Sequence, residues 1–454
     1  MLRRTRTIIA VVITGALATY WASRAGAEQG RADPGPEPVR PRGYDELFTA
    51  ATLRVDLFHT GGQGEESFSL DRVVREPSWP GRRAGLVDPT GYGLYRYRVV
   101  DAGTGELIFS QGFASLFGEW LTTEEARERR RTMHESVRFP FPRAARVRVA
   151  VDKRDEHGEL QEIYSVEVEP SHHSVSWERS TDFPVTDIEV NAPPSEAVDI
   201  LILGDGYTAE EMGKFRADAR RVAEALFEYT PYRENRASIS IRAVEAVSRE
   251  SGTDEPRKGI WRDTALGCSF NTFESARYLT TEDNEAMREI AALAPYDTIL
   301  IMVNTSRYGG GGIYGLWSVF AADNEYSEYV LIHEFGHSFG ALGDEYYSPG
   351  ATSYDDSLFY PPGVEPWEPN ITALLDRRSL RWGDMIEAGT PIPTPASQEY
   401  AGRIGVFEGA GYRARGLYRP CLDSIMFHKA HLGYCPVSER AIARLIQWTA
   451  GRGW

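Results

Sequence analysis

The sequence predicts two folded domains, an all-β, sandwich-like domain over residues 43–170 and an α/β domain over 191–454. Three observations lead there. From about Leu53 to Glu169, short runs alternate apolar with polar residues between Gly, Pro and Asp breaks, the pattern of half-buried antiparallel strands. After residue 196 the rhythm changes to near-continuous apolar runs separated by helical patterns, as in an α/β layer. The 454 residues are enough for two or three cores, at ~100–200 residues per domain.

The N-terminus comes first. Arg3, Arg4 and Arg6 precede an apolar run from Ile8 to about Ala22, and Ala25-Gly26-Ala27 offers small residues to a signal peptidase. Residues 1–27 therefore read as a secretory signal, with a retained anchor helix as the alternative. No Cys lies near the cleavage site, so a lipoprotein is not expected. No other stretch is long and apolar enough to span a bilayer. Residues 28–42, EQGRADPGPEPVRPR, are rich in Pro, Gly and charge and read as a flexible linker.

The strands expected in the first domain are LRVDLFHT (53–60), GLYRYRVVD (93–101), ELIFSQGF (106–113), ARVRVAVDK (145–153) and EIYSVEVEP (162–170). A helical insert is expected from Thr122, where Thr122-Thr123-Glu124-Glu125 makes a capping box ahead of ARERRR. That basic run is a solvated helix face or a binding patch. Residues 171–190 form a polar connector.

The second domain opens on Ala197–Leu203 (AVDILIL), a strand of the type buried on both faces. Thr208 with Glu211 then caps a helix reaching about Tyr229. Strands over 238–248 and 296–304 follow, with a helix near 281–293 between them. Gly309 to Val319 is either an exposed edge strand, to which an extended peptide can add, or a flexible loop. Ser327 to Phe339 reads as a helix with Val330, Leu331 and Phe335 on its apolar side.

That helix carries His333-Glu334-Phe335-Gly336-His337. Residues four apart share a helix face, so both imidazoles can address one Zn²⁺ ion, with Glu334 placed as general base for its water. The bland reading is a structural helix whose two His flank a Glu. A catalytic zinc site takes three protein ligands. Gly340 or Gly343 can end the helix in a left-handed turn that swings Asp344 back, with Glu345 or a more distant Glu as alternatives. Further on, Ser424-Ile425-Met426 resembles the Met-containing turn under the metal of metzincins. His428 stands where astacin-like members carry a Tyr, a donor position for the substrate carbonyl. Met426 as plain core and His428 as a surface residue are the competing readings.

Ile202 to Thr208 (ILGDGYT), Glu250 to Pro256, Gly259-Ile260-Trp261, the Gly-rich stretch and HEFGHSFGALGDEYY together closely resemble peptidase family M64 over most of 190–450. Gly112 to Trp120 (GFASLFGEW) resembles the domain that precedes the peptidase in that family. The resemblance implies a secreted zinc metalloendopeptidase of α/β zincin (metzincin-like) fold, with His333, His337 and Asp344 as ligands of one zinc ion and Glu334 as base. IgA, the substrate of the relative that names the family, does not carry over.

Composition bounds the partners. The chain has 50 Lys+Arg against 66 Asp+Glu, a net charge of -16, and 42% hydrophobic residues. Acidity argues against nucleic acid, which rewards clustered positive charge. Protein or peptide is the expected partner. Loss of residues 1–27 removes four Arg and no acid, which takes the charge to -20. With 46 Arg and four Lys, the chain fits a GC-rich bacterium, in a secreted, periplasmic or cell-surface location without stable membrane insertion after cleavage. Three Cys exclude a disulfide scaffold, but Cys421 and Cys435 flank the Met segment and form either one disulfide or two thiols. Cys268 is then unpaired and reads as a buried small hydrophobe. A non-catalytic protein- or glycan-binding role with a retained metal site is the rival from another class.

Overall fold

In the computed structural model, residues 42–177, 182–347, 356–429 and 433–454 are described, and the expected signal sequence and linker, Arg42 excepted, lie outside them. The chain enters through one helical turn, α1 (Tyr44–Leu47), into two long paired strands, β1 (Phe48–Gly62) and β2 (Glu65–Glu76). These join β5 (Arg131–Pro142) in a three-stranded antiparallel sheet of order β2-β1-β5. A second antiparallel sheet, of order β4-β3-β6-β7, holds β3 (Tyr95–Asp101), β4 (Leu107–Phe113), β6 (Val147–Arg154) and β7 (Leu160–Val168). Alternate residues from both sheets, such as Leu53, Val55, Val99 and Val149, meet in one core.

Neither β2 nor β5 is expected from the sequence. Their charged residues look solvated, yet Glu76 is buried between Arg54 and Arg138, at 3.2 and 3.0 Å. The helical insert also differs. The Thr122 and Thr123 hydroxyls donate to the carbonyls of Glu119 and Trp120, at 2.7 and 2.8 Å, so no capping box forms. The insert is two short pieces, α2 (Leu116–Trp120) and α3 (Glu125–Glu128), the first capped by the Ser115 hydroxyl, which accepts from Gly118 N–H at 2.9 Å. The basic run is a solvated, ion-paired segment: Arg131 meets Glu282 at 3.0 Å as β5 begins.

The second half is built on a six-stranded sheet of order β14-β15-β13-β9-β10-β8. Its members are β8 (Val185–Glu189, inside the expected connector), β9 (Val198–Asp205), β10 (Ile239–Val244), β13 (Thr298–Val303), β14 (Gly310–Ile313) and β15 (Trp317–Ala321). The two-residue strands β11 (Ser269–Phe270) and β12 (Leu279–Thr280) pair beside it. The four central strands are parallel and both edges are antiparallel.

β9 is apolar throughout because its two faces serve two cores. Val198, Ile200 and Ile202 pack with α4 (Met212–Leu226), α6 (Ser327–Ser338) and α8 (Pro436–Thr449). Leu201 and Leu203 pack with α5 (Asn284–Ala291) and with Leu116, Phe117 and Trp120 from the first half. The helix after β9 starts through a 3₁₀ turn held by Thr208 N–H to the Glu211 carboxylate at 2.9 Å, and α4 ends at Leu226. A last excursion adds α7 (Asp356–Phe359) and the hairpin of β16 (Phe407–Ala410) with β17 (Arg413–Arg419). Gly43 to Trp454 forms one compact unit. No described helix is long and apolar enough to cross a membrane.

Candidate active site

α6 ends under the sheet edge, and its geometry follows from three local constraints. His333 and His337 lie one turn apart on one face, with their Nε2 atoms 3.2 Å apart. Each Nδ1 meets a backbone carbonyl, Ile425 O at 2.9 Å and Leu342 O at 2.6 Å. A carbonyl only accepts, so each Nδ1 carries a proton and each Nε2 is the nitrogen turned toward Asp344, available to a metal once it has lost its own proton.

The chain then reverses. The left-handed residue is Ala341 (φ 58°), not Gly340 or Gly343. The two glycines serve close packing instead. A Cβ on Gly340 would lie 2.6 Å from Gly336 O, and one on Gly343 would lie 2.5 Å from Ile371 Cδ1. The reversal brings Asp344 Oδ1 to 3.1 Å from His333 Nε2 and 3.3 Å from His337 Nε2. Asp344 Oδ2 accepts from the Tyr412 hydroxyl at 2.5 Å, while buried Oδ1 has no hydrogen-bond partner.

These three atoms fit a metal ion. A tetrahedral zinc with bonds of about 2.0–2.1 Å needs its ligands about 3.3–3.4 Å apart, and the observed spacings are 3.1–3.3 Å. The electrostatics agree. Burial raises the Asp344 carboxyl, but the two imidazoles outweigh it and hold the group well below the usual carboxylate range. Burial pushes the neighbouring Glu334 carboxyl up, against the lowering by both His.

Glu345 lies elsewhere. It is fully buried, accepting from Ser424 Oγ at 2.6 Å and Asn370 Nδ2 at 2.9 Å, and it ties the reversed loop to the 424–426 turn. That turn supports the site from below. Ile425 O holds His333, and the buried Met426 Sδ sits 3.0 Å from where a Cβ on Gly336 would be. His428 stands apart from the three-residue cluster. Its half-exposed ring meets Asp423 Oδ1 at 2.5 Å and does not line the cleft above His333. The guanidinium of Arg419 lies over the ring of the preceding Phe427, 4.1 Å from its centroid. Cys421 and Cys435 are buried thiols in one apolar cluster, not a disulfide, and Cys268 is a buried thiol.

The Gly-rich stretch is an edge strand. A Cβ on Gly312 would lie 2.4 Å from Glu334 O and 3.1 Å from His337 Cβ, and one on Gly310 would lie 2.4 Å from Val330 Cγ1. β14 can cross directly over α6 only without side chains there. On its outer side, among the described residues, Tyr278 pairs at Gly310. A cleft of about 540 Å³ opens beside the strand, with Glu334 half-buried in its wall.

Residues from distant segments, and one from α6 itself, complete the cleft. Tyr412 steadies Asp344, the Tyr329 ring stacks on His333 at 5.4 Å, and Arg277 and Glu119 line the walls. Tyr329 lies on α6 itself, one turn before His333. No spacing in the sequence connects the other three to the helix, and of those only Glu119 carries a prior sign, its place in the GFASLFGEW run.

A family model described as IgA Peptidase M64 matches residues 186–403 and 396–446. A second, described as Peptidase M64 N-terminus, matches residues 43–165. No curated protein matches the chain.

Proposed function

The chain belongs to peptidase family M64, and from that premise we propose that it is an exported zinc metalloendopeptidase of zincin-like fold, with His333, His337 and Asp344 holding one zinc ion. The observation that carries this reading is the triangle of Nε2, Nε2 and Oδ1 atoms at 3.1–3.3 Å, with Glu334 beside it in an open cleft. When bound, zinc supplies the positive charge that polarises the scissile carbonyl and acidifies a water.

The chain's own residues do the rest. An extended peptide lies along the outer side of β14 beyond Gly310, where Tyr278 leaves the edge open and backbone hydrogen bonds fix its register without demanding a particular side chain. Glu334 takes a proton from the attacking water and delivers it to the leaving nitrogen. Burial suits the carboxyl to this exchange by raising its proton affinity. Tyr412 holds Asp344 through its hydroxyl, and the Ile425 and Leu342 carbonyls hold the two imidazoles in the ligating tautomer. His428, expected as a donor to the substrate carbonyl, is not among the residues that line the cleft. Export rests on residues 1–27, and the end of the expected connector, as β8, belongs to the sheet of the second half.

Proteolysis of a denatured protein mixture tests the reading. The full chain is expected to cleave it, and both Glu334→Ala and a strong chelator to abolish cleavage, with zinc restoring only the wild type. If the wild type binds one zinc and cleaves no peptide in a broad library, the enzyme reading fails and a binding protein is left.

A further inference from the structure

Two carboxylates line the cleft with no Lys or Arg side chain in ion-pair contact among the described residues, although Arg154 and Arg381 act on Glu368, and His337 on Glu119, from further off. Glu119, from α2 in the first half, is half-buried and accepts a hydrogen bond from the Tyr278 hydroxyl. The Tyr278 ring lies against the edge strand, 2.3 Å from where a Cβ on Gly311 would be, so Glu119 is anchored to the strand beside which the substrate lies. Glu368 is 6% exposed and receives the Tyr360 hydroxyl at 3.1 Å on Oε1, while its Oε2 has no hydrogen-bond partner. Its Cγ lies 3.3 Å from where a Cβ on Gly343 would be, next to Asp344.

The positive groups on the same walls are held away from ion-pair contact with these two carboxylates. Lys153 pairs with Glu66, and Arg154 donates to the carbonyls of Gly93 and Gly158 at 2.9 and 2.7 Å. Arg277 lies in the field of Asp344 and Glu334. Desolvating two carboxylates without a counter-charge in contact is costly, and a cation from outside that reaches them is the group that would relieve it. Both carboxyls are accordingly raised to about 7, chiefly by burial.

We propose that Glu119 and Glu368 are specificity-determining residues that select peptides with a Lys or Arg side chain near the scissile bond, the first of them supplied by the N-terminal region. This rests on the peptidase reading above for the position of the scissile bond. The cationic group has two possible sources, a basic side chain or the free amino terminus of a peptide, and the test separates them.

The zinc-loaded full chain is assayed on peptides of one sequence carrying Lys, Arg, Ala or Glu at each position flanking the cleaved bond, with the N-terminus free or acetylated. A charge-assisted hydrogen bond to each basic group predicts a kcat/KM ratio of basic over alanine peptides of about tenfold or more. That ratio is equal for free and acetylated peptides and collapses toward one in Glu119→Gln/Glu368→Gln. Binding of the same peptides to the Glu334→Gln protein, read by fluorescence anisotropy, gives the preference without cleavage. A wild-type ratio near one, a preference for Glu, a preference lost on acetylation, or a ratio unchanged in the double variant overturns the proposal. Cleavage without preference sinks this inference alone, whereas preferential binding without any cleavage sinks the peptidase reading and leaves the basic-peptide site standing.

Discussion

Tyr412 shows how a single hydroxyl governs the cluster. It lies 68 residues from Asp344 in sequence and holds the oxygen that does not face the imidazoles. Outer-shell partners of metal ligands contribute by orienting them, so Tyr412→Phe should weaken zinc binding about 10–100-fold while leaving the fold intact. Chelator competition against the wild type checks this, and unchanged affinity would leave Tyr412 with no orienting role. His59 makes a different kind of test. It is sandwiched between the Phe68 and Phe117 rings, at 3.8 Å from each, and faces Glu135 at 3.0 Å and Glu66 at 3.8 Å, the latter also paired with Lys153. Burial lowers its proton affinity, but the two carboxylates outweigh it and the pKa is raised above 6.5. A raised folded-state value means stability that is complete below the unfolded value of about 6.5 and is lost as pH rises through the folded one. Stability measured against pH should fall across that window in the wild type and lose this component in His59→Phe.

At the scale of elements, the reversal after α6 and the crossing of β14 decide whether the cluster exists. Ala341 is left-handed, a conformation that a β-branched side chain tolerates poorly. Ala341→Val should therefore destabilise the turn and displace Asp344, costing both zinc affinity and activity, whereas Ala341→Gly should keep both. The readouts are the zinc dissociation constant and the denaturation midpoint. Gly312 offers the complementary case. A Cβ there would meet backbone, Glu334 O at 2.4 Å, which cannot swing aside as a flexible side chain can. Gly312→Ala should cost about 1–3 kcal/mol, as overpacking does, and should lower activity by lifting the strand from the helix. Thermal unfolding with parallel peptide assays would show it. The sequence leaves the Gly-rich stretch open between strand and loop because glycine carries no β-pattern, and only the neighbouring α6 explains why side chains are missing.

At the scale of the whole molecule, the N-terminal region is part of the peptidase core. Leu116, Phe117, Trp120 and Met133 share a cluster with Leu201, Leu203 and Ile301 of the six-stranded sheet. Ion pairs follow the same boundary: Arg72 to Glu285 at 2.9 Å and to Glu289 at 3.0 Å. A shared apolar core couples the two parts, so calorimetry of the full chain should give a single cooperative transition. Residues 183–454 expressed alone should expose that face and aggregate, which size-exclusion chromatography would reveal. Two well-separated transitions, or a monodisperse and active truncated form, would contradict the coupling.

Local information is what the sequence by itself determined about this protein: the alternating strands around Leu53 and Val149, the doubly buried β9, and a helix presenting His333 and His337 on one side of Glu334. Each of these follows from spacing along a regular backbone, which a sequence records directly. What only the tertiary structure decided is everything that depends on long-range contact. Asp344, not Glu345, joins the imidazoles because the chain turns at Ala341, and His428 is half-exposed beside Asp423 and does not line the cleft. Charged β2 and β5 fold inward because their ions find partners across the sheet, as Glu76 does with Arg54 and Arg138. A buried charge is stable only beside its partner, and the partner's position is a property of the fold, not of the local pattern.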